Sequence, residues 1–388
     1  MPTTEKAKGV AVWVLVIAIG SLFGPLAALG QQAIVIDHTC TLLDQVPTSW
    51  IDQAKNSFRV SYGHTSHGSQ LISGISTLNQ ILGCSCGSCS DAGCTSCQYG
   101  YCDDYYYYAY GAGNPVAPAG VLSLWDRKPT GASDLGNPNR TAWETATRAM
   151  LEDPKYNNRN VVMWSWCGQV DTTAENIDLY LGLMDGLIAD YPSVKFVYMT
   201  GHLNGTGLTG NVNQRNNQIR QHVLATGGIL FDFADIESYD PDGNEFLSRN
   251  ATDSCNYTGG NWADQWCAAH AGDPLCANCP SSTSCAHSKC LNCNLKGRAF
   301  WWMMARLAGW PGPQPPLRPS DLDNDDDVDQ FDFDIFSGCA TGPGVTPPAS
   351  GCDIADIDRD EDVDQMDFGL FQRCFSGEDV PAAAECVD

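Results

Sequence analysis

Basic residues are scarce: 21 Lys and Arg stand against 46 Asp and Glu in 388 residues, and the formal net charge is −25. A chain of that sign repels a phosphate backbone, which excludes nucleic acid as a partner. Charge of either sign is also sparse, at 17% of residues, while 43% are hydrophobic. That balance excludes a largely disordered chain, and the length allows two or three domains with a packed core. Long apolar runs are nearly absent too. The single one, Val10 to about Leu29, follows Lys6 and Lys8. At roughly 20 residues it is long enough to be a retained anchor. Gly20, Gly24 and Pro25 make it a poor permanent span, and Ala28-Leu29-Gly30 offers small residues for cleavage before Gln31. The preferred reading is a signal peptide over 1–30 and a secreted, extracellular or cell-surface protein, free of the membrane after cleavage.

Cysteine, by contrast, is abundant. The nineteen lie at Cys40, in a group from Cys84 to Cys102, at Cys167, in a group from Cys255 to Cys293 and in a last group from Cys339 to Cys386. In an exported chain such clusters read as disulfide staples for loops that lack a core. The pairs Cys86/Cys89, Cys94/Cys97 and Cys276/Cys279 also have zinc-ligand spacing, which a reducing compartment would favour. An odd count leaves one thiol over, and Cys40 is expected to reach one of the clusters.

Four apolar runs read as buried strands: 58–62, 161–166, 194–199 and 229–233. Helical patterns separate them. Thr141…Glu144 and Thr172…Glu175 have capping-box spacing, and the second opens a stripe of Ile177, Leu181, Met184 and Ile188. Further helices are expected over 212–226, stopped by Gly227, and over 295–307, before Gly309. Strands alternating with helices predict an α/β fold with a parallel sheet covered on both faces, here over 31–310. A Pro-rich stretch, 311–319, is a stiff linker and a domain boundary. The region 320–388 holds 20 Asp or Glu against Arg359 and Arg373, a local net of −18 that leaves −7 for everything before it.

That tail contains an internal repeat at a shift of 35 residues. Acidic residues at loop positions 1, 3, 5, 9 and 12 can wrap oxygen ligands around Ca²⁺. Here they are Asp321, Asp323, Asp325, Asp329 and Asp332, then Asp356, Asp358, Asp360, Asp364 and Asp367. Asp327 and Asp362, at position 7, would offer backbone carbonyls. The pair of EF-hand-like loops, each followed by a helix, resembles the type I dockerin family across about 320–377. The resemblance implies a small α-helical calcium-binding unit used for docking to a cohesin-like or cell-surface partner. Position 6, where the family has glycine, holds Asp326 and Glu361, and Glu361 marks the second site as the weaker. The positions that face a cohesin hold Gln330-Phe331 and Gln365-Met366. Within this resemblance, Cys339–Cys352 and Cys374–Cys386 are the expected staples.

Ligands in open parallel sheets bind beyond the carboxyl ends of the strands. The segments there are Gly63-His64-Thr65-Ser66-His67-Gly68, Trp166-Cys167-Gly168-Gln169, Thr200-Gly201-His202 and Asp232…Asp235. A serine in a tight strand-to-helix turn can act as a nucleophile when an imidazole takes its proton and amides hold the oxyanion. Over about 58–310 the chain resembles the SGNH (GDSL-like) hydrolase superfamily, a three-layer sandwich. That resemblance implies Ser66 as nucleophile, Gly136 and Gln169 as oxyanion donors and His287 as base, without further cofactor. His64-Thr65-Ser66 stands where the family has Gly-Asp-Ser. Gln169 replaces its Asn, and Ser284 takes the place of the acid before the base, leaving Asp235 or Asp253 to orient the imidazole. The expected activity is a secreted esterase acting on polysaccharide-linked or other acyl esters. Two alternatives are a non-catalytic carbohydrate-binding protein on the same fold and a zinc hydrolase built on His64, His67, His202 and His287. His38, His222 and His270 read as structural. Seven tyrosines between Tyr99 and Tyr110 could stack on sugar rings or pack over the core.

Overall fold

The apolar runs become strands of one sheet. In the computed structural model the described residues are 1, 32–84, 92–102, 117, 119–280, 285–313, 320–323, 325, 327–346, 348, 351–378, 380–383 and 386. The proposed leader, Cys86 and Cys89, most of the tyrosine run, Ser284, the end of the Pro-rich linker and Asp326 lie outside them. Seven strands, β1 (Ile34–Ile36), β2 (Arg59–Gly63), β3 (Tyr101–Cys102), β4 (Leu122–Asp126), β5 (Val161–Trp164), β6 (Lys195–Met199) and β7 (Ile229–Phe231), are all parallel. Their order is β1-β7-β6-β5-β2-β4-β3. Every residue of β5 is buried, as are the last four of β2 and β6, so both faces of the sheet are covered.

The described residues form ten α-helices, the last two in the tail: α1 (Thr48–Ser57), α2 (Ser69–Ile81), α3 (Ala142–Glu152), α4 (Ala174–Asp190), α5 (Asn211–Thr226), α6 (Phe233–Ile236), α7 (Trp262–Ala269), α8 (Cys290–Ala308), α9 (Gln330–Cys339) and α10 (Gln365–Cys374). The expected helices at 212–226 and 295–307 are α5 and α8, although α8 begins five residues earlier than its apolar run. Neither early capping box forms as expected. Asn139 Oδ1 accepts from the N–H groups of Thr141 and Ala142 at 2.9 and 2.8 Å, and Thr173 rather than Thr172 is the N-cap of α4. Gly227 does stop α5, in the left-handed region.

The last helix of the body, α8, is buried on almost every side and crosses α2 at a glycine pair. A Cβ on Gly74 would lie 1.8 Å from the Cys293 carbonyl oxygen, and one on Gly297 would lie 2.3 Å from the Gly74 carbonyl carbon. Gly297→Ala is therefore expected to cost at least about 3 kcal/mol, at the upper end of overpacking penalties. Gly182→Ala, on the exposed face of α4 with nothing within 4 Å, should instead stabilise by about 1 kcal/mol. Calorimetric Tm values moving in opposite directions would support this packing; a harmless Gly297→Ala would contradict it.

One apolar core runs from Ile36 to Trp310 and a separate one from Leu322 to Ala382. Disulfides join Cys84–Cys97, Cys267–Cys276, Cys279–Cys290, Cys285–Cys293, Cys339–Cys352 and Cys374–Cys386. The last two are those expected, and Cys276 and Cys279 bond to different partners rather than to a shared metal. Cys94 is disulfide-bonded as well. Cys40 departs from expectation: it is a buried free thiol facing the Val35 carbonyl at 3.7 Å. No helix among the described residues is long and apolar enough to cross a membrane.

Candidate active site

The turn between β2 and α2 carries Ser66 and His67, and it is pinned from several sides. Tyr62 Oη donates to the Gly68 carbonyl at 2.9 Å, Ser69 Oγ donates to the Ser66 carbonyl at 2.6 Å and Thr65 Oγ1 donates to Asp134 at 2.7 Å. His67 is turned toward two side chains from distant loops. Its Nε2 lies 2.9 Å from Asp253 Oδ2, and its Nδ1 lies 3.4 Å from Cys167 Sγ. A carboxylate only accepts, so Nε2 carries the proton and Nδ1 faces the thiol with its lone pair. Cysteine, imidazole and carboxylate thus stand in series. Asp253 is held in turn by its own N–H, which donates to the Leu203 carbonyl at 3.1 Å.

His67 also sits inside a stack of imidazoles. The His202 ring lies 3.8 Å away at 2°, and the His287 ring 4.5 Å away at 19°. Burial pushes the His67 pKa below its ordinary 6.5, and the neighbouring His202 adds to this, against the opposing pull of Asp253. Burial opposes the Asp253 charge, yet the His67 hydrogen bond, the charges of His202 and His67 and the Ser254 backbone together outweigh it and hold that carboxyl below its usual range. At neutral pH the site therefore holds a neutral base oriented by an ionised carboxylate.

Ser66 is beside this series rather than in it. Its Oγ lies 3.5 Å from Cys167 Sγ, its hydrogen-bond partner among the described residues. His64 faces elsewhere: Nε2 meets Asp126 Oδ1 at 2.6 Å and Nδ1 meets the Thr65 carbonyl at 2.9 Å. Gly136 N–H and Gln169 Nε2 both donate to Asp134 Oδ1, at 2.9 and 3.0 Å, so a buried carboxylate occupies the two donors that the family resemblance assigned to an oxyanion. Asp235 pairs with His38 at 2.5 Å and does not reach His67. The structure thus gathers Ser66, His67, His202 and His287, turns His64 and Gly136 to other partners, and sets Gln169 between Asp134 and the Cys167 N–H, which donates to its Oε1 at 2.9 Å.

Cys167 is the residue that sequence reasoning left without a role. Two signals pointed to it: it stands outside every cysteine cluster, and it follows a strand end directly. Of the three free cysteines among the described residues, Cys40 and Cys255 are buried while Cys167 is half-buried. No acceptor among the described residues lies within hydrogen-bond reach of the Gly168 N–H, directly after it.

The tail loops bring their carboxylates together. Oxygens of Asp321, Asp323 and Asp325 lie within 4.8 Å of one another, as do those of Asp325, Asp327 and Asp332. Asp329 and Asp364 cap α9 and α10 through full capping boxes with Asp332 and Asp367. In the second loop Asp360 N–H donates to Asp356 Oδ1 at 3.1 Å, and Asp358 N–H to Asp367 Oδ1 at 3.0 Å. Burial, then repulsion from Asp332 and Asp367 respectively, raises the pKa values of Asp323 and Asp358. Asp362 is 5% exposed, and its Oδ1 is buried without a hydrogen-bond partner. A buried carboxylate oxygen without a hydrogen-bond partner, in a loop rich in aspartate, suits a hard cation. No family model, curated protein or solved structure matches the chain.

Proposed function

We propose that the chain is a secreted hydrolase of carboxylic esters that works through a covalent acyl-enzyme, with Cys167 as nucleophile, His67 as base and Asp253 as its orienting carboxylate. The single observation carrying this is the unbroken contact series from Cys167 Sγ through His67 to Asp253. His67 Nδ1 takes the thiol proton as Sγ attacks the ester carbonyl. The developing oxyanion would be received by the Ser66 hydroxyl, 3.5 Å from Sγ, and by the Gly168 N–H directly after the nucleophile. Collapse expels the alcohol, which receives the proton from His67 and leaves a thioester on Cys167. Water then attacks that thioester with His67 again as base, releasing the carboxylic acid and the thiol. A thiol is the better nucleophile to pair with a base of lowered pKa, because it ionises more readily than the Ser66 hydroxyl.

The acidic tail is read as a calcium-dependent docking unit. Asp321, Asp323, Asp325, Asp327, Asp329 and Asp332 would hold one ion, and Asp356, Asp358, Asp360, Asp362, Asp364 and Asp367 a second. Calcium supplies folding energy there and takes no part in the acyl chemistry. Acylated polysaccharide is the substrate class that suits an exported esterase with a docking module. A zinc centre fits less well. Ligand atoms of His67, His202 and Asp253 do lie within 4.8 Å of one another, but the two rings are stacked, centroids 3.8 Å apart at 2°, so one of them would have to turn before both in-plane lone pairs met at one ion.

Because the base must be neutral, activity is expected to persist below the ordinary imidazole range. The acid limb of kcat/KM should fall at a pH below 6.5, and a limb above 6.5 would exclude His67 as the base. The test of the reading is labelling. The oxidised full-length chain, with calcium, is treated with iodoacetamide or with a fluorophosphonate, and adducts are located by mass spectrometry. Carbamidomethylation at Cys167 with loss of p-nitrophenyl acetate hydrolysis supports it. A fluorophosphonate adduct on Ser66, with Cys167 untouched, would transfer the nucleophile to serine. No adduct at either would favour a non-catalytic carbohydrate-binding protein, the reading that the Asp134 contacts to Gly136 and Gln169 support.

A further inference from the structure

Behind the site lies a charge pair that the chemistry does not use. Lys296, on α8, and Glu237, just after α6, are both completely buried, with Nζ 2.6 Å from Oε1. Nζ also donates to Gln70 Oε1 and lies 3.7 Å from the centroid of the Phe233 ring, the surroundings of an ammonium ion. Burial pulls the Lys296 pKa down while Glu237 holds it up. A buried pair of this kind is a weak source of stability, since both ions lose water. Its connections are more telling.

The loops bearing the histidines and Asp253 are tied to this pair. Glu237 Oε2 accepts from the N–H of Leu203, the neighbour of His202, at 2.9 Å. Gln70, in the first turn of α2 after His67, donates through Nε2 to the carbonyl of Ala286, the neighbour of His287, at 2.7 Å. Asn292, 3.5 Å from Glu237 Oε1, donates to Ser288 Oγ at 2.8 Å. Ser288 in turn meets Cys255 Sγ at 3.6 Å, two residues beyond Asp253. The segments bearing His67, His202, His287 and Asp253 share one anchor.

We infer that Glu237 and Lys296 are positioning residues that hold the imidazole stack and Asp253 in register and set the charge felt by His67. The inference rests on the reading of His67 as the base. The groups facing His67 are Asp253 at Nε2, Cys167 at Nδ1, and His202 and His287 across its ring; the Glu237 charge reaches it and favours its protonated form. Lys296 opposes Glu237 in this respect.

The experiment compares Glu237→Gln, Lys296→Met and the double variant in the full-length chain. The His67 resonance, assigned by its loss in His67→Asn, is titrated by NMR. Glu237→Gln should lower its midpoint and Lys296→Met should raise it, because each leaves the other's charge uncompensated. The double variant should bring the midpoint back toward wild type and stay folded, since replacing both partners is far milder than removing one. It should still lose about a hundredfold in kcat/KM, the scale of an ångström of misplacement. Identical midpoints in all variants, or a double variant of full activity, would overturn the inference. The titration needs no turnover. A chain without esterase activity that still shows opposed midpoints would therefore remove the acyl-transfer reading and retain the positioning role.

Discussion

Cys167→Ala is expected to abolish ester hydrolysis, by on the order of 10⁴-fold or more, while Ser66→Ala costs about tenfold. The asymmetry follows from which atom His67 touches. Nδ1 lies 3.4 Å from the thiol, whereas Ser66 Oγ reaches the series only through that sulfur, at 3.5 Å. Losing Ser66 removes one hydroxyl near the nascent thiolate and oxyanion. Removing Cys167 takes away the atom that becomes acylated. Single-turnover kinetics with p-nitrophenyl acetate would show the difference directly, since wild type and Ser66→Ala should release a stoichiometric burst and Cys167→Ala none. The reverse result, a dead Ser66→Ala beside an active Cys167→Ala, would restore the serine mechanism that the family resemblance implies. His67 would then have to turn toward Ser66, breaking its present contact with Cys167.

Much of this arrangement could be read before any coordinates, and most of what escaped has a physical cause. The four apolar runs read as strands became β2, β5, β6 and β7, because fully buried parallel strands read as mainly hydrophobic stretches. β1 and β3, at three and two residues, carry too little pattern to be seen. β4 carries a pattern no weaker than that of β2, since Ser123 interrupts one and Ser61 the other, and nothing in its local sequence accounts for its having escaped. The rule that ligands gather at strand ends singled out the segments after β2 and β6 that carry His64, His67 and His202, since it depends only on topology. It could not say which way each ring turns. His64 and His67 belong to one short turn, yet one faces Asp126 and the other Cys167 and Asp253, contacts separated by 62, 100 and 186 positions in the chain. Long-range pairings of that kind leave no local signature. The resemblance implies Gly136 and Gln169 as oxyanion donors from their position along the fold, and position alone does not show that both donors point at Asp134.

Chelation of calcium is expected to unfold the tail and leave the body folded. The tail has its own small core, from Leu322 to Ala382, and below roughly 70 residues such a core supplies only about 3–5 kcal/mol. Against it stand 20 acidic side chains with two arginines. Asp332 and Asp367 are completely buried, and the Asp362 oxygen lacks a partner. Each calcium ion at a thousandfold excess over its Kd contributes ~4 kcal/mol, so two ions match or exceed everything else holding the unit together. Calorimetry should show two transitions with calcium and only the body's with EDTA. The lost transition should return on adding calcium, because Cys339–Cys352 and Cys374–Cys386 preserve the chain's pairing. A tail transition indifferent to EDTA would remove calcium from the account. The two loops should also differ. Glu361 holds φ at +75°, a conformation that costs a side chain about 1–2 kcal/mol. Glu361→Gly should then tighten the second loop about fivefold or more by isothermal titration and leave the first unchanged, because the relieved strain is confined to the turn on which the second set of carboxylates closes.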